Sequence, residues 1–286
     1  MPVVVTGATG HLGRLVVESL LQRGVPAGEI VATGRNLEKI KDLADRGVRT
    51  VHADFNDPES LKAAFTGAQK LLLVSGADIG QRIPQHTNAI AAAKAVGVEL
   101  IAYTSVAGAD TTTMILAKDH QGTEAALATA GVPYALLRNG WYHENYTDAL
   151  PATLERGVIV GSAGEGRVSG ASRLDYAEAA AVVLSTEGHA GAVYELGGDV
   201  AYTQAELAAE VTAQSGTPVA YQDIPVAEYE KMLAEVVGLP APVAAMVADI
   251  DRAVSEGNLE IRSGDLSRLI GRPTTPLATA VQAALA

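Results

Sequence analysis

Three glycines spaced three apart, Gly7, Gly10 and Gly13, follow the β-branched run Val3-Val4-Val5-Thr6. They lead into a stretch with Leu12, Leu15, Val16 and Leu20 on one helical face. The pattern is strand, tight turn, helix. Its chemistry is the binding of a pyrophosphate. The first glycine turns the chain out of the strand, the second lets backbone approach the anion, and the third lets the helix lie close on the strand. Amide N–H groups at the helix start, with the positive end of the dipole, then hold the phosphates. Gly7, Ala8, Thr9, Gly10, His11, Leu12 and Gly13 are therefore candidate cofactor-binding residues. His11 is expected to be exposed and carries little information.

The end of the second strand, about 20 residues past the glycines, selects the dinucleotide. A fold that prefers NAD places an acid there to bind the ribose 2′-OH. Val31-Ala32-Thr33-Gly34-Arg35-Asn36 has no acid and offers Arg35. A guanidinium grips a 2′-phosphate with two prongs. The missing acid and the present base agree, so the cofactor is expected to be NADP(H), with Arg14 and Lys39 adding charge. Asp54, after the third strand, stands equally well as an adenine contact or a loop cap. Ser75 and Gly76 close the fourth strand, and Thr104 and Ser105 the fifth. Both ends are expected to face the nicotinamide half, with Gly76 admitting close backbone approach.

Strand ends must position these residues. Strand and helix patterns alternate through the first half: strands over 29–33, 49–53, 70–75, 99–104 and 134–138, helices over 37–46, 58–65, 84–96 and 114–130. Asp57 and Pro58 read as N-cap and first helical residue. Lys70-Leu71-Leu72-Leu73-Val74-Ser75 is nearly continuous in apolar residues, as buried parallel strands are. The expected fold is α/β, a Rossmann-like, doubly wound parallel sheet with a smaller, mainly helical second lobe. The reading places an NADP-binding domain over 1–200 and a substrate lobe over 201–286. A loop or hairpin excursion is expected near 141–172, where 157–172 carries five glycines. Arg173 and Asp175 read as a structural pair with Asp175 as N-cap, and Tyr202–Gly216 as a helix with Thr203 and Glu206 as its capping box.

Composition narrows the function further. The chain has 286 residues, 48% hydrophobic and 19% charged, which is globular. A formal net charge of −12 argues against nucleic acid as partner. No cysteine is present, so disulfides and thiolate chemistry are excluded. No cluster has metal-ligand spacing, and no metal is expected. No signal-peptide core or membrane-length apolar run is visible, and the expected location is the cytoplasm. Nothing in the sequence bars a homo-oligomer.

Gly7-Ala8-Thr9-Gly10-His11-Leu12-Gly13 is similar to the atypical or extended short-chain dehydrogenase pattern. Gly80-Gln81-Arg82, Gln85-His86, Tyr103-Thr104-Ser105 and the block Leu137-Arg138-Asn139-Gly140-Trp141-Tyr142-His143-Glu144-Asn145 resemble the NmrA-like branch. More narrowly, they resemble its bacterial NADPH:quinone oxidoreductases. The resemblance runs to Leu269-Ile270-Gly271-Arg272-Pro273-Thr274, nearly the whole chain. It implies two-electron reduction of a quinone with NADPH in a cleft lined by Arg35, Ser75, Gly76 and the block from Asn139.

The sequence departs from ordinary short-chain dehydrogenases in one respect. Their Tyr-x-x-x-Lys pair is replaced by His120-x-x-x-Glu124. Ketone reduction by that route is therefore not expected. A quinone tolerates the loss, because it accepts hydride readily and solvent can protonate the product. His120 is a weak catalytic candidate: a lone helical histidine reads first as structural, second as a proton donor. Trp141 and Tyr142 suit a flat ring, with lobe packing as the alternative. Asn139 and Asn145 suit a quinone oxygen or the nicotinamide amide, with loop bonding as the alternative. The expected function is quinone reduction by direct hydride transfer without flavin. The rival is an NADP(H)-sensing regulator of the NmrA-like type with little or no turnover.

Overall fold

A computed structural model describes residues 2–76, 78 and 80–286. Val3–Val5 (β1) is fully buried, and the glycine turn leads into His11–Gln22 (α1). The chain continues through Ile30–Gly34 (β2), Lys41–Asp45 (α2), Arg49–His52 (β3), Pro58–Phe65 (α3), Lys70–Leu73 (β4) and Arg82–Ala95 (α4). Leu100–Val106 (β5), Ala117–Ala130 (α5) and Tyr134–Asn139 (β6) follow. The rest comprises Trp141–Tyr142 (β7), Glu144–Thr147 (α6), Leu150–Arg156 (α7), Val158–Gly161 (β8), Gly170–Ala171 (β9), Arg173–Ser185 (α8) and Val193–Leu196 (β10). Gln204–Ser215 (α9), Ala220–Asp223 (β11), Val226–Glu235 (α10), Ala241–Ser255 (α11), Asp265–Ile270 (α12) and Leu277–Leu285 (α13) complete it.

The main sheet runs β3-β2-β1-β4-β5-β6-β10. The pairings of β1 with β2 and β4, β2 with β3, β4 with β5, and β5 with β6 are parallel. This is the doubly wound order, and the direction in which successive strands are added across the sheet reverses between β1 and β4. Side chains alternate across each strand. Val4, Val31, Leu71, Leu73, Ile101 and Tyr103 pack with Leu61 and Phe65 of α3, Ala89 and Ala93 of α4, and Leu127 of α5. Helix α1 packs along α8.

Two compact units emerge. The first comprises 1–106, 119–139 and 173–194, the second 107–118, 140–172 and 195–286. A single cut near residue 200 does not describe them. Long-range strand pairing is the reason. In the second unit β7 pairs in parallel with β9, and β8 in parallel with β11. Of the loop or hairpin expected near 141–172, the 157–172 segment takes the loop form, since β8 and β9 do not pair with each other. Gly157 and Gly164 take positive φ, as turn glycines do, whereas others serve close packing: a Cβ at Gly166 would fall 2.6 Å from the Val254 carbonyl carbon, and one at Gly170 would fall 2.6 Å from the Tyr202 hydroxyl.

Several local boundaries also differ. The 37–46 helix splits into a 3₁₀ turn over Leu37–Ile40, capped by Asn36, and α2. Helix α5 starts at Ala117 rather than 114, and the Ile115 N–H before it donates to Asp249 (2.6 Å). Asp175 lies inside the first turn of α8 and is fully buried, so it is not the N-cap. Tyr202 bridges to Val168, and α9 begins after the Thr203–Glu206 capping box. Among the described residues, no helix is long and apolar enough to cross a membrane, and no group of His, Cys, Asp or Glu is placed to hold a metal.

The close seat of α1 gives a test. A Cβ at Gly13 would overlap the Gly7 carbonyl oxygen and lie 2.7 Å from its carbon and 2.9 Å from Ala8 N. In an open helix, alanine gains about 1 kcal/mol over glycine. Overpacking against fixed atoms costs about 1–3 kcal/mol, and here the obstacle is backbone. Gly13→Ala is expected to lower the urea midpoint, and a midpoint at or above wild type would show that α1 can slide away freely.

Candidate active site

Gly7 takes a positive φ of +63°, which suits glycine and strains other residues. The Gly10 N–H donates to the Gly7 carbonyl at 2.9 Å, closing the turn. Helix α1 then starts with no side-chain cap and no acid in its first turn. By contrast, α3 is capped by Asp57, and α9 by Thr203 with Glu206. An uncapped helix start presents N–H groups and the positive dipole end to an anion. This geometry fits a dinucleotide pyrophosphate, held by backbone from Gly7 to Gly13.

The end of β2 presses on this turn. The Ala8 N–H donates to the Thr33 carbonyl at 2.9 Å. A Cβ at Gly34 would fall 2.7 Å from Thr9 Oγ1, so a side chain there requires the Thr9 side chain to shift. Arg35 is the next residue, exposed, and in no ion pair among the described residues. Arg14 differs from expectation. Its Nη1 donates to Asp42 Oδ1 at 3.0 Å, its Nη2 to Asp42 Oδ2, and its Nε lies 3.1 Å from Glu18. Its charge is matched locally, leaving Arg35 and the exposed Lys39 as the open cations. Asp54 caps its own loop, with Oδ1 accepting from the Asn56 N–H at 2.9 Å.

On the other side of β1, Thr6 Oγ1 accepts from the Val74 N–H at 2.9 Å. Thr104 Oγ1 accepts from the Ser75 N–H at 2.9 Å. The Gly76 N–H donates to His86 Nε2 at 3.1 Å, and the Gly76 carbonyl accepts from Arg82 Nε. Behind these lies a buried polar network. His86 Nδ1 meets Thr123 Oγ1 at 2.9 Å, and Thr123 Oγ1 donates to the Asp119 carbonyl at 2.9 Å. His120 Nδ1 meets the Tyr103 hydroxyl at 2.8 Å, and its Nε2 faces Arg82 Nη1 at 3.4 Å. Glu124 accepts from the Ser105 hydroxyl at 2.5 Å and from Arg138 Nε and Nη2 at 3.0 and 2.8 Å.

Burial, with the Arg82 charge second, holds His86 down at about 4. The same causes, joined by His86, hold His120 at about 3. Burial likewise pushes the Tyr103 hydroxyl well up. None of these groups exchanges protons near neutrality. His120 therefore lacks the pKa of a proton donor at that pH.

A model of the NmrA-like family matches residues 2–264. The chain belongs to the NmrA-like family. It is 51% identical over 279 residues to quinone oxidoreductase 2 of Escherichia coli (strain K12), covering 98% of this chain and 97% of that one. An Escherichia coli NADPH-dependent quinone oxidoreductase solved in complex with NADPH superposes with a TM-score of 0.96, at 50% identity, covering 99% and 100% of the two chains. The Citrobacter sp. triphenylmethane reductase complexed with NADP(H) matches with a TM-score of 0.93, at 42% identity over 99% of each chain.

In this NmrA-like chain the first unit brings together the glycine turn, Arg35, Ser75, Gly76, Thr104 and Ser105. Asn139 is buried at the end of β6 in the same unit. Trp141, Tyr142 and Asn145 belong to the second unit, the two aromatics half-buried in β7 and Asn145 exposed on α6. Sequence reasoning missed the close contact of Gly34 with Thr9, and it missed the hydrogen bonds of Arg82, His86, Thr123 and Glu124. The available signal was spacing: Arg82 and His86 are four apart on one helix, as are His120 and Glu124.

The two histidines set an acid response. Their folded values lie below the ordinary 6.5. As pH falls from the unfolded value toward 4, the unfolded chain takes up protons that the folded chain refuses. Stability present above the unfolded value is thus lost on acidification. Two such protons add a slope of up to about 2.7 kcal/mol per pH unit near pH 5. His120→Asn is expected to remove about half of this contribution in urea titrations. An unchanged slope would mean that His120 titrates as freely in the folded protein as in the unfolded chain.

Proposed function

We propose that this chain is an NADPH-dependent quinone oxidoreductase that transfers hydride directly to the quinone, without flavin. The observation that carries the reading is the uncapped, acid-free start of α1 behind Gly13 and beside Arg35. It stands in a chain matching a quinone oxidoreductase end to end at 51% identity. Backbone from Gly7 to Gly13 would hold the pyrophosphate, and Arg35 the 2′-phosphate. Ser75 and Gly76, just past β4, and Thr104 and Ser105, near the end of β5, are proposed to line the nicotinamide half. Asn139, Trp141, Tyr142 and Asn145 are proposed to meet the quinone, on the strength of the family resemblance.

NADPH supplies the hydride when bound. The protein orients it and excludes competing acceptors, a proximity effect. Negative charge arriving on the quinone spreads through its ring onto oxygen, so no protein acid is required in the hydride step. The side chains agree with this. The Ser105 proton is committed to Glu124, and His120 is bonded at both ring nitrogens. Solvent is the proposed proton source.

The decisive assay follows the NADPH absorbance band with a panel of small quinones. Protein-dependent loss supports the enzyme, and tight NADPH binding without turnover supports an NADP(H)-sensing regulator instead. Arg35→Ala is expected to weaken NADPH roughly 10- to 100-fold, the worth of hydrogen bonds to a charged group, with little effect on NADH. Equal losses with both cofactors would remove Arg35 from the 2′-phosphate. His120→Asn is expected to keep turnover within a few-fold, and a large loss with intact NADPH affinity would make proton donation part of the mechanism.

A further inference from the structure

Sheet order places β1 beside β4, with β2 beyond one and β5 beyond the other. That switch point is where open α/β sheets receive ligands, outside the strand ends. Val74, leaving β4, runs directly beside the glycine turn: its Cβ lies 3.5 Å from where a Gly7 Cβ would stand. Ser75 and Gly76 follow immediately.

Gly76 has no side chain to restrict it, yet both its backbone groups are engaged by one helix face. Its N–H donates to His86 Nε2 at 3.1 Å, and its carbonyl accepts from Arg82 Nε. The two side chains come from positions four apart on α4 and grip the peptides on either side of one Cα. They therefore hold its φ and ψ together. Hydrogen-bond direction makes the arrangement single-valued. A backbone N–H can only donate, so His86 Nε2 must accept. The ring proton then sits on Nδ1 and points to Thr123 Oγ1, whose own proton goes to the Asp119 carbonyl. Arg82 is braced in turn by His120 at 3.4 Å.

The groups that face His86 are Phe55 from the loop after β3, Tyr103 from β5, Thr123 from α5 and Arg82 from its own helix. Gln85, beside it on α4, binds Asp78 at 3.1 Å. With no acid paired to the ring, and with Arg82 adding positive charge, the imidazole stays neutral and keeps its acceptor.

We propose that Arg82 and His86 are positioning residues for the cofactor: by clamping Gly76 on both sides, they hold the end of β4 in the one conformation that admits the dinucleotide at the switch point. This rests on the NADPH reading above. The clamp acts through backbone, so it is read out in cofactor affinity rather than in the hydride step.

The test pairs His86→Gln with His86→Asn. Glutamine places an acceptor where Nε2 stood, whereas asparagine is too short to reach. Calorimetry with NADPH should show affinity within threefold of wild type for His86→Gln, and a loss of tenfold or more for His86→Asn and for Arg82→Ala. In steady state with a small quinone, KM for NADPH should rise by the same factor while kcat at saturating NADPH changes less than threefold. Amide exchange in the peptide containing Gly76 should accelerate in His86→Asn and stay slow in His86→Gln. Equal NADPH affinity for the Gln and Asn variants would overturn the proposal, as would a lowered melting temperature with unchanged affinity. If wild type bound NADPH but reduced no quinone, the enzymatic reading would fall while the calorimetric comparison still decided the clamp.

Discussion

The structure depends on one close approach, that of α1 to the turn that precedes it. Gly13 lies against the Gly7 carbonyl with no room for a Cβ, and Gly34 lies close against the side chain of Thr9. Two missing side chains thus bring a helix start and a strand end onto one loop. The helix start has no side-chain cap. A cap is worth about 1 kcal/mol to a helix, so the free protein forgoes stability at the place where an anion would supply the missing partner. Affinity for phosphate and local instability are here two descriptions of one geometry.

Charge follows the same logic. The chain carries a formal net charge of −12, which repels an anionic cofactor at long range. Recognition must then come from fixed local donors. Arg14 adjoins the turn but is matched by Asp42 and Glu18. Arg35 is exposed and in no ion pair among the described residues, and it is the cation proposed to distinguish a 2′-phosphate from a hydroxyl.

The second organising feature is a polar seam within the first unit. His86, His120, Tyr103, Thr123 and Arg82 are buried together, and Glu124 and Arg138 form a two-pronged ion pair beside them. Removing one partner of the Glu124–Arg138 pair would be costly, since a buried charge left alone destabilises by about 3–5 kcal/mol, and leaving a neutral member of the seam without its hydrogen bond costs about 1–3 kcal/mol. Short-chain dehydrogenases ordinarily spend the same helix positions on a proton-donating tyrosine and its lysine. Here the imidazole is bonded to Tyr103 and Arg82, and the carboxylate to Ser105 and Arg138.

The residues alone determined the sheet class, the glycine turn, the absence of an acid after β2 and the capping of α3 and α9. These follow from short-range geometry: a β-branched run, a glycine where backbone must turn, an aspartate ahead of a proline. What tertiary structure decided lies in contacts between distant positions. Glycines at 166 and 170 look like turn signals, yet they mark backbone pressed against Val254 and Tyr202. The pairings of β8 with β11 and of β7 with β9 gave 140–172 to the second unit, which no local pattern reveals. Arg82 and His86 show only a four-residue spacing until folding brings Gly76 between them. Side-chain type sets what a residue is able to donate or accept, but only the fold decides which partner it meets and whether water is present there.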